Sequence, residues 1–331
     1  MIDTLSLYNS DTTDPYENLA REEYLTFHAE LGECILFLWQ NAHTVVIGRN
    51  QNCWKECRVS ELEADGGRLA RRLSGGGAVY HDLGNVNFTF CTHKKNADVQ
   101  KQLAVIVDAV ASFGLDARRT GRNDVTVDGR KFSGNAFFDS GGYYYHHGTL
   151  LLNVDMARMS RFLNPSTAKL HSNGVASVRS RVVNLASLCP EITVSSMKEA
   201  MVRSFSGIYG LPVAAFDESR FDAAEIARLR DRLASREWKY GRNIPFTNRL
   251  AGRFAWGEVE LALKVNRGIV EEALLSSDAM EAEWFDQAGV WLAGCPYEAG
   301  ALCNVLERGM EERGVPEEVR ENLCAMVREQ M

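Results

Sequence analysis

Several familiar features are missing from this 331-residue chain, and each absence closes off a class of function. No apolar run is long enough to span a bilayer, which takes roughly 20 consecutive apolar residues. The opening Met1-Ile2-Asp3, with Asp11 and Asp14 soon after, reads as neither a secretory signal nor an arginine-rich transit peptide. An excess of positive charge is lacking as well. There are 37 Lys and Arg against 44 Asp and Glu, a net charge of −7, which argues against non-specific nucleic-acid binding as the main task. The eight cysteines (Cys34, Cys53, Cys57, Cys91, Cys189, Cys295, Cys303 and Cys324) lack disulfide-scaffold spacing, so reduced thiols in a cytoplasmic protein are expected. Cys53 and Cys57 stand four apart, but no second pair completes a zinc site. Internal repeats and low-complexity segments are absent too. What is left, 45% hydrophobic and 24% charged, is the profile of a soluble globular protein with room for two domains.

Against that plain background one run stands out: Arg71-Arg72-Leu73-Ser74-Gly75-Gly76-Gly77-Ala78-Val79-Tyr80-His81-Asp82-Leu83-Gly84-Asn85. Three glycines in a row bare the backbone, so that amide N–H groups can lie against a ligand. The arginines before them suit carboxylate or phosphate oxygens. This is the composition of an anion-binding loop. No Gly-Lys-Ser/Thr closes it, as in a P-loop, and the glycines lack the dinucleotide-binding spacing.

A second run, Gly121-Arg122-Asn123-Asp124-Val125-Thr126-Val127-Asp128-Gly129-Arg130-Lys131-Phe132-Ser133-Gly134-Asn135-Ala136, reads as a β-hairpin around its Asp-Gly pair. Lys131 then sits on a strand just past the turn, a rigid mount for an ammonium facing a phosphate or carbonyl. Ser133 and Gly134 leave room for a ligand. His146-His147 lacks a carboxylate at ligand spacing, which favours a hydrogen-bonding role over a metal site.

Coarse patterning places these runs in an α+β domain. Residues 3–9 and 34–48 read as strands, and Asp14-Pro15-Tyr16-Glu17 starts a helix with an Asp cap and an early Pro. A second helix follows Val99, Leu103, Ile106, Val110 and Phe113 and stops at Gly114; residues 123–154 are strand-rich. Asn164 to Val182 is a long weakly patterned stretch of the kind that serves as a binding loop. Helices are expected at 194–209 and 222–235. A polar linker is expected at 241–250, with Gly241, Pro245 and Asn248, and then a hairpin of Glu258–Val265 and Ile269–Leu275, and helices to the end.

The glycine run, the Gly-Arg-Asn-Asp…Lys-x-Ser-Gly run and His147-Gly148-Thr149-Leu150-Leu151 resemble the three signature blocks of lipoate–protein ligases. Thr44-Val45-Val46-Ile47-Gly48-Arg49, Ser177-Val178-Arg179-Ser180-Arg181-Val182 and Phe254-Ala255-Trp256-Gly257 extend the likeness, in the family order, over essentially the full length. The resemblance implies a mixed β-sheet flanked by helices, as in biotin and lipoate ligases, with a core related to class II aminoacyl-tRNA synthetases. It also implies a small α/β accessory domain at the C-terminus, giving a catalytic domain at 1–244 and an accessory domain at 250–331.

The activity implied is formation of lipoyl-AMP from lipoate and ATP with Mg²⁺, then transfer of the lipoyl group to an acceptor lysine, in lipoate salvage. The acceptors implied are the lipoyl domains of 2-oxoacid dehydrogenase E2 subunits and the glycine-cleavage H protein. No nucleic acid or membrane is involved, and a cytoplasmic monomer is expected. Lys131 matches the family's catalytic lysine. The nucleotide or adenylate falls to Arg72, Ser74, Gly75, Gly76, Gly77, Ala78, Val79, Tyr80, Asn123, Asp124 and Ser180. Lipoate falls to Arg71, Arg72, Gly77, Lys131, His147 and Gly148. Asn123 and Asp124 orient either the nucleotide or the metal; no protein cluster is expected to hold a metal by itself, and Mg²⁺ on ATP would lie near Asp124. Val46, Val79, Phe88 and Leu150–Leu152 are apolar enough to line a slot for the dithiolane. The 164–182 loop would close over the adenylate and keep water from it, and the 241–250 linker would be the hinge of the accessory domain.

The nearest alternative is an octanoyl or lipoyl transferase, which works through a cysteine thioester and needs no ATP; Cys91 is the thiol to test. A biotin ligase lacks support, since neither its glycine-arginine block nor a helix-turn-helix is present. A silent lipoate-binding protein would have no use for Lys131.

Overall fold

Asp14 starts the first helix as its sequence predicts. Its carboxylate accepts from the backbone N–H groups of Tyr16 and Glu17, and Pro15 occupies the first turn, where no N–H is needed. Local signals of this kind set up a chain that the computed structural model describes at residues 1–120, 123–164, 182–240, 246–280 and 283–331. Gly121, Arg122, most of the 164–182 loop with Ser180, and positions 241–245 of the expected hinge lie outside the described residues.

The described chain divides into two units. The first comprises Met1–Val46, Trp54–Arg71 and Ala78–Ser235; the second comprises Ile47–Cys53, Arg72–Gly77 and Arg236–Met331. The first unit is built on β1 (Thr4–Asn9), β2 (Glu33–Trp39), β6 (Asn85–His93), β7 (Ala117–Thr120), β8 (Asp124–Val127), β9 (Arg130–Ser140), β10 (Tyr143–Leu151) and β11 (Val213–Ala215). These form one sheet in the order β11-β1-β2-β6-β10-β9-β8-β7. β1 runs parallel to β11 and to β2, and the rest of the sheet is antiparallel. The expected mixed sheet is therefore present. A small sheet, β4 (Arg68–Arg71), β3 (Thr44–Ile47) and β5 (Val79–His81), has β3 in the middle.

Strand alternation sorts the side chains onto two faces. Leu36, Phe88, Phe90 and Leu150 meet Leu103, Ile106 and Val110 of α4 (Val99–Ala111), and Met197, Met201 and Phe205 of the helix Val194–Tyr209, in the main apolar core. The opposite face, carrying Trp39, Thr89 and His147, lies under α1 (Pro15–Phe27), which contacts β6 and β10. Burying about ten large apolar side chains at roughly 1.5–3 kcal/mol each is the main stabilising term of this half.

The second unit has its own sheet and core. β12 (Asn248–Phe254), β13 (Gly257–Asn266) and β14 (Ile269–Ser277) form an antiparallel meander, followed by helices at Phe285–Leu292, Ala299–Glu311 and Glu317–Gln330. Leu261, Leu263, Val270 and Leu275 pack with Phe285, Leu306, Met310 and Leu323. Sequence patterning finds the β13–β14 hairpin and misses β12, whose alternation is interrupted by Gly252; residues 248–250 are thus strand rather than linker. Among the described residues no helix is long and apolar enough to cross a membrane.

Candidate active site

The hairpin that carries Lys131 turns on two residues in the left-handed region, Asp128 (φ 51°) and Gly129 (φ 72°). Val127 faces Arg130 across this turn, as the Asp-Gly pair predicts. The pairing slips between Val125 and Thr126, so consecutive residues Phe132 and Ser133 are both buried while Lys131 stays partly exposed. Its Nζ lies 2.7 Å from Oδ1 of Asp124, and both side chains are 34% exposed. The backbone of Lys131 is held separately, its carbonyl accepting from Val183 N–H at 2.9 Å. Gly134 is required here for space. A Cβ at that position would come within 2.8 Å of the Lys131 ammonium.

Asn123 precedes this pair and is clasped by Asn135. Asn135 N–H and Nδ2 both donate to the Asn123 carbonyl, at 2.9 and 3.0 Å, and Asn123 Nδ2 donates to the Asn135 carbonyl at 3.1 Å. Asn135 Oδ1 accepts in turn from His146 Nε2 at 2.8 Å, and His146 Nδ1 faces the Gln102 side-chain amide at 3.2 Å. Complete burial pushes the His146 imidazole down to about 3, with the neighbouring His147 and Arg119 acting in the same direction. A neutral His146 therefore ties the core helix α4 to β9, whose Asn135 clasps Asn123.

His147, the next residue on β10, points to the other face of the sheet. Its Nδ1 is 2.8 Å from Oε1 of Glu22, which also accepts from Thr89 Oγ1; Trp39 Nε1 donates to Thr89 Oγ1 at 3.1 Å. Gly148 then lets β9 and β10 approach closely, since a Cβ there would lie 2.7 Å from the Gly134 carbonyl and 2.6 Å from the Phe88 ring. Glu22 was not among the residues picked from sequence. The available signal was a carboxylate on the α1 stripe that includes Leu19 and Ala20, where an unpaired charge is costly.

The glycine run is organised differently. Arg72 is 5% exposed, and its guanidinium donates to Ser74 Oγ (3.0 Å), the Gly75 carbonyl (2.7 Å) and the Gly77 carbonyl (2.8 Å). Within the same unit Gly76 N–H donates to the Ala279 carbonyl at 3.1 Å, and Arg49 N–H donates to the Ser74 carbonyl at 2.9 Å. Any Cβ at Gly75 would overlap the Ala279 carbonyl, and one at Gly48 would overlap the Gly76 carbonyl. The glycines thus serve close backbone packing, and Arg72 folds the loop from within, where the sequence suggested a guanidinium facing a ligand.

A model of the lipoyl protein ligase A/B catalytic domain matches residues 14–206, and one of the bacterial lipoate protein ligase C-terminus matches residues 243–326. The chain belongs to the lipoate–protein ligase family. LipL1 of P. falciparum, solved in complex with lipoate, is 27% identical, with 97% of this chain and 99% of that one covered at a TM-score of 0.82. A lipoate–protein ligase A solved with ATP is 25% identical over 73% of this chain and 99% of that one, with a TM-score of 0.63. A bipartite lipoate protein ligase of Thermoplasma acidophilum, described with its E2 lipoyl domain, is 26% identical over 75% of this chain and all of that one, also at 0.63.

In this ligase the first unit brings Lys131, Asn123 and Asp124 onto one hairpin, with Gly148 on the adjoining strand. Val79 and Tyr80 lie on β5 of that unit, and Arg71 is buried at the end of β4. Arg72, Ser74, Gly75, Gly76 and Gly77 belong to the second unit. Of the apolar residues suggested for the dithiolane, Val46, Phe88, Leu150 and Leu152 are at most 2% exposed, the last three in the main core, Leu151 is buried as well, and Val79 is half-buried. Cys91 is also fully buried, and burial pushes its thiol well above the ordinary range.

Proposed function

We propose that this ligase activates lipoate with ATP and passes the lipoyl group to a lysine of an acceptor protein. The observation that carries the reading is the Lys131–Asp124 pair: an ammonium held on rigid strands, partly exposed, with one exchangeable carboxylate partner. In the first step a lipoate carboxylate oxygen attacks the α-phosphorus of ATP and pyrophosphate leaves. Two anions must meet for this to happen. Lys131 can leave Asp124 for the incoming oxygens and stabilise the charge that builds on them. In the second step the acceptor amine attacks the mixed anhydride carbonyl, the C–O bond to phosphate breaks and AMP leaves; the same ammonium faces the developing charge. Gly134 leaves the space that the Lys131 ammonium occupies.

Among the described residues no group of three His, Cys, Asp or Glu could hold a metal ion. A Mg²⁺ carried on the phosphates of ATP would screen their charge, with Asp124 as the carboxylate nearest to Lys131. The ATP-bound and lipoate-bound neighbours support both substrates for this chain. The ligase described with its E2 lipoyl domain supports an acceptor of that class, with 2-oxoacid dehydrogenase E2 subunits and the glycine-cleavage H protein as the candidates. We assign catalysis to 1–244 and the accessory role to 250–331, in a cytoplasmic monomer that serves lipoate salvage.

A thioester route asks for an accessible, low-pKa thiol. Seven of the eight cysteines are buried and Cys189 is half-buried, which favours the ligase. The direct test is pyrophosphate release from ATP and Mg²⁺ with no acceptor present. Release that depends on lipoate is expected; acyl transfer from a carrier protein without ATP would contradict the reading.

A further inference from the structure

β5 is three residues long and pairs with β3 alone, at the edge of its sheet. So short a ladder fixes a strand weakly. Even so, β5 contains Val79 and Tyr80, positions that the family resemblance gives to the nucleotide. What holds it is the Tyr80 side chain, 1% exposed and stacked on Phe162 with ring centroids 6.1 Å apart. Its hydroxyl lies 3.0 Å from Nδ1 of His43, the residue that leads into β3.

His43 lies between Tyr80 and Asp65. Its Nε2 lies 3.1 Å from Oδ2 of Asp65, and Asp65 Oδ1 accepts from Arg161 Nη1 at 3.1 Å, with Arg158 Nη2 3.7 Å from Oδ2. Nε2 and Asp65 Oδ2 are buried side by side without a hydrogen bond between them, so His43 is joined by a hydrogen bond to Tyr80, through Nδ1. The Phe162 ring closes the remaining side at 5.2 Å. Two details show that the chain accommodates this arrangement at a cost. His43 adopts φ 32°, in the left-handed region, and Gly67 gives it space, since a Cβ there would lie 2.8 Å from His43 Nε2.

We propose that His43 is a positioning residue for the nucleotide step: its hydrogen bond with Tyr80 fixes the β5 backbone where ATP is bound. The assignment rests on the proposed ligase reading. It adds a residue outside the signature blocks and predicts a selective effect, because none of the contacts named for His43 and Tyr80 is to Lys131 or His147. Tyr80→Phe removes one oxygen and keeps the ring. His43→Ala removes the partner of that oxygen.

The test is the initial rate of pyrophosphate release, with ATP and lipoate varied separately, for wild type, Tyr80→Phe, His43→Ala and the double variant, each checked for thermal melting. Each single change should raise the KM for ATP about three- to tenfold, the scale of one lost hydrogen bond, with kcat and the lipoate KM within about twofold. The double variant should be no worse than His43→Ala, because both changes break the same hydrogen bond. A folded Tyr80→Phe with unchanged ATP KM overturns the assignment, as does a lipoate KM that moves as much as the ATP KM. If His43→Ala fails to fold, Tyr80→Phe alone decides. Wild type that releases no pyrophosphate overturns the proposed function and the assignment together, whereas release with unmoved constants overturns the assignment alone.

Discussion

The two basic, glycine-containing segments look alike in sequence and differ in what their cations do. Lys131 is one-third exposed and, among the described residues, has a single carboxylate partner at 2.7 Å, so an incoming anion can replace that partner at little cost. Arg72 is 5% exposed, and its fork is filled by Ser74 and by the carbonyls of Gly75 and Gly77. An ammonium on a strand is a point charge available for chemistry; a buried guanidinium with several fixed donors can be a scaffold. Availability, more than the number of positive charges, separates a reactive segment from a structural one.

That contrast can be broken by exchanging charge and shape. Lys131→Ala should lower lipoate-dependent pyrophosphate release by about 10²–10³-fold or more while leaving the melting temperature close to wild type, since a partly exposed ion pair contributes roughly 0–1 kcal/mol. Arg72→Lys keeps the charge and loses the fork. It should destabilise the protein by about 1–3 kcal/mol in a denaturant titration, because buried carbonyls lose donors. A variant of normal stability but poor activity would instead place the Arg72 charge on the substrate.

Gly134→Ala sharpens the Lys131 side of the comparison. The new Cβ displaces a flexible ammonium rather than backbone, so kcat should fall about tenfold with little change in melting. A smaller effect concerns pH. His146 is held down to about 3 from an ordinary 6.5, so the unfolded chain takes up a proton below 6.5 that the folded chain refuses. Stability from this residue is complete above pH 6.5 and declines as pH falls towards 3, by up to about 1.4 kcal/mol per unit. His146→Leu should flatten that slope in a series of melts at descending pH. Smallest of all, Cys91→Ala should leave activity within about twofold.

The sequence makes the hairpin legible because its signals are local: Asp128-Gly129 dictates the turn, and the turn places Lys131. The cap at Asp14 and the helix at Val194–Tyr209 are legible for the same reason. Partners distant along the chain are not. Glu22 reaches His147 across 125 positions, and no spacing rule joins a helix residue to a strand so far away. Phe88 and Leu150 were plausible lipoate contacts by composition, but only the sheet register shows that they face the core while Thr89 and His147 face α1. The glycine run shows the limit most plainly. Its composition indicates bare backbone, and the fold decides whether a carbonyl such as that of Ala279 takes the amide.

The central claim is that Lys131 supplies charge to the reaction and nothing essential to the fold. It is tested most directly by measuring lipoate-dependent pyrophosphate release and thermal melting on the same preparation of Lys131→Met. The account predicts wild-type melting with release reduced about 10²-fold or more. Release within about tenfold of wild type, from a protein that melts normally, would contradict it.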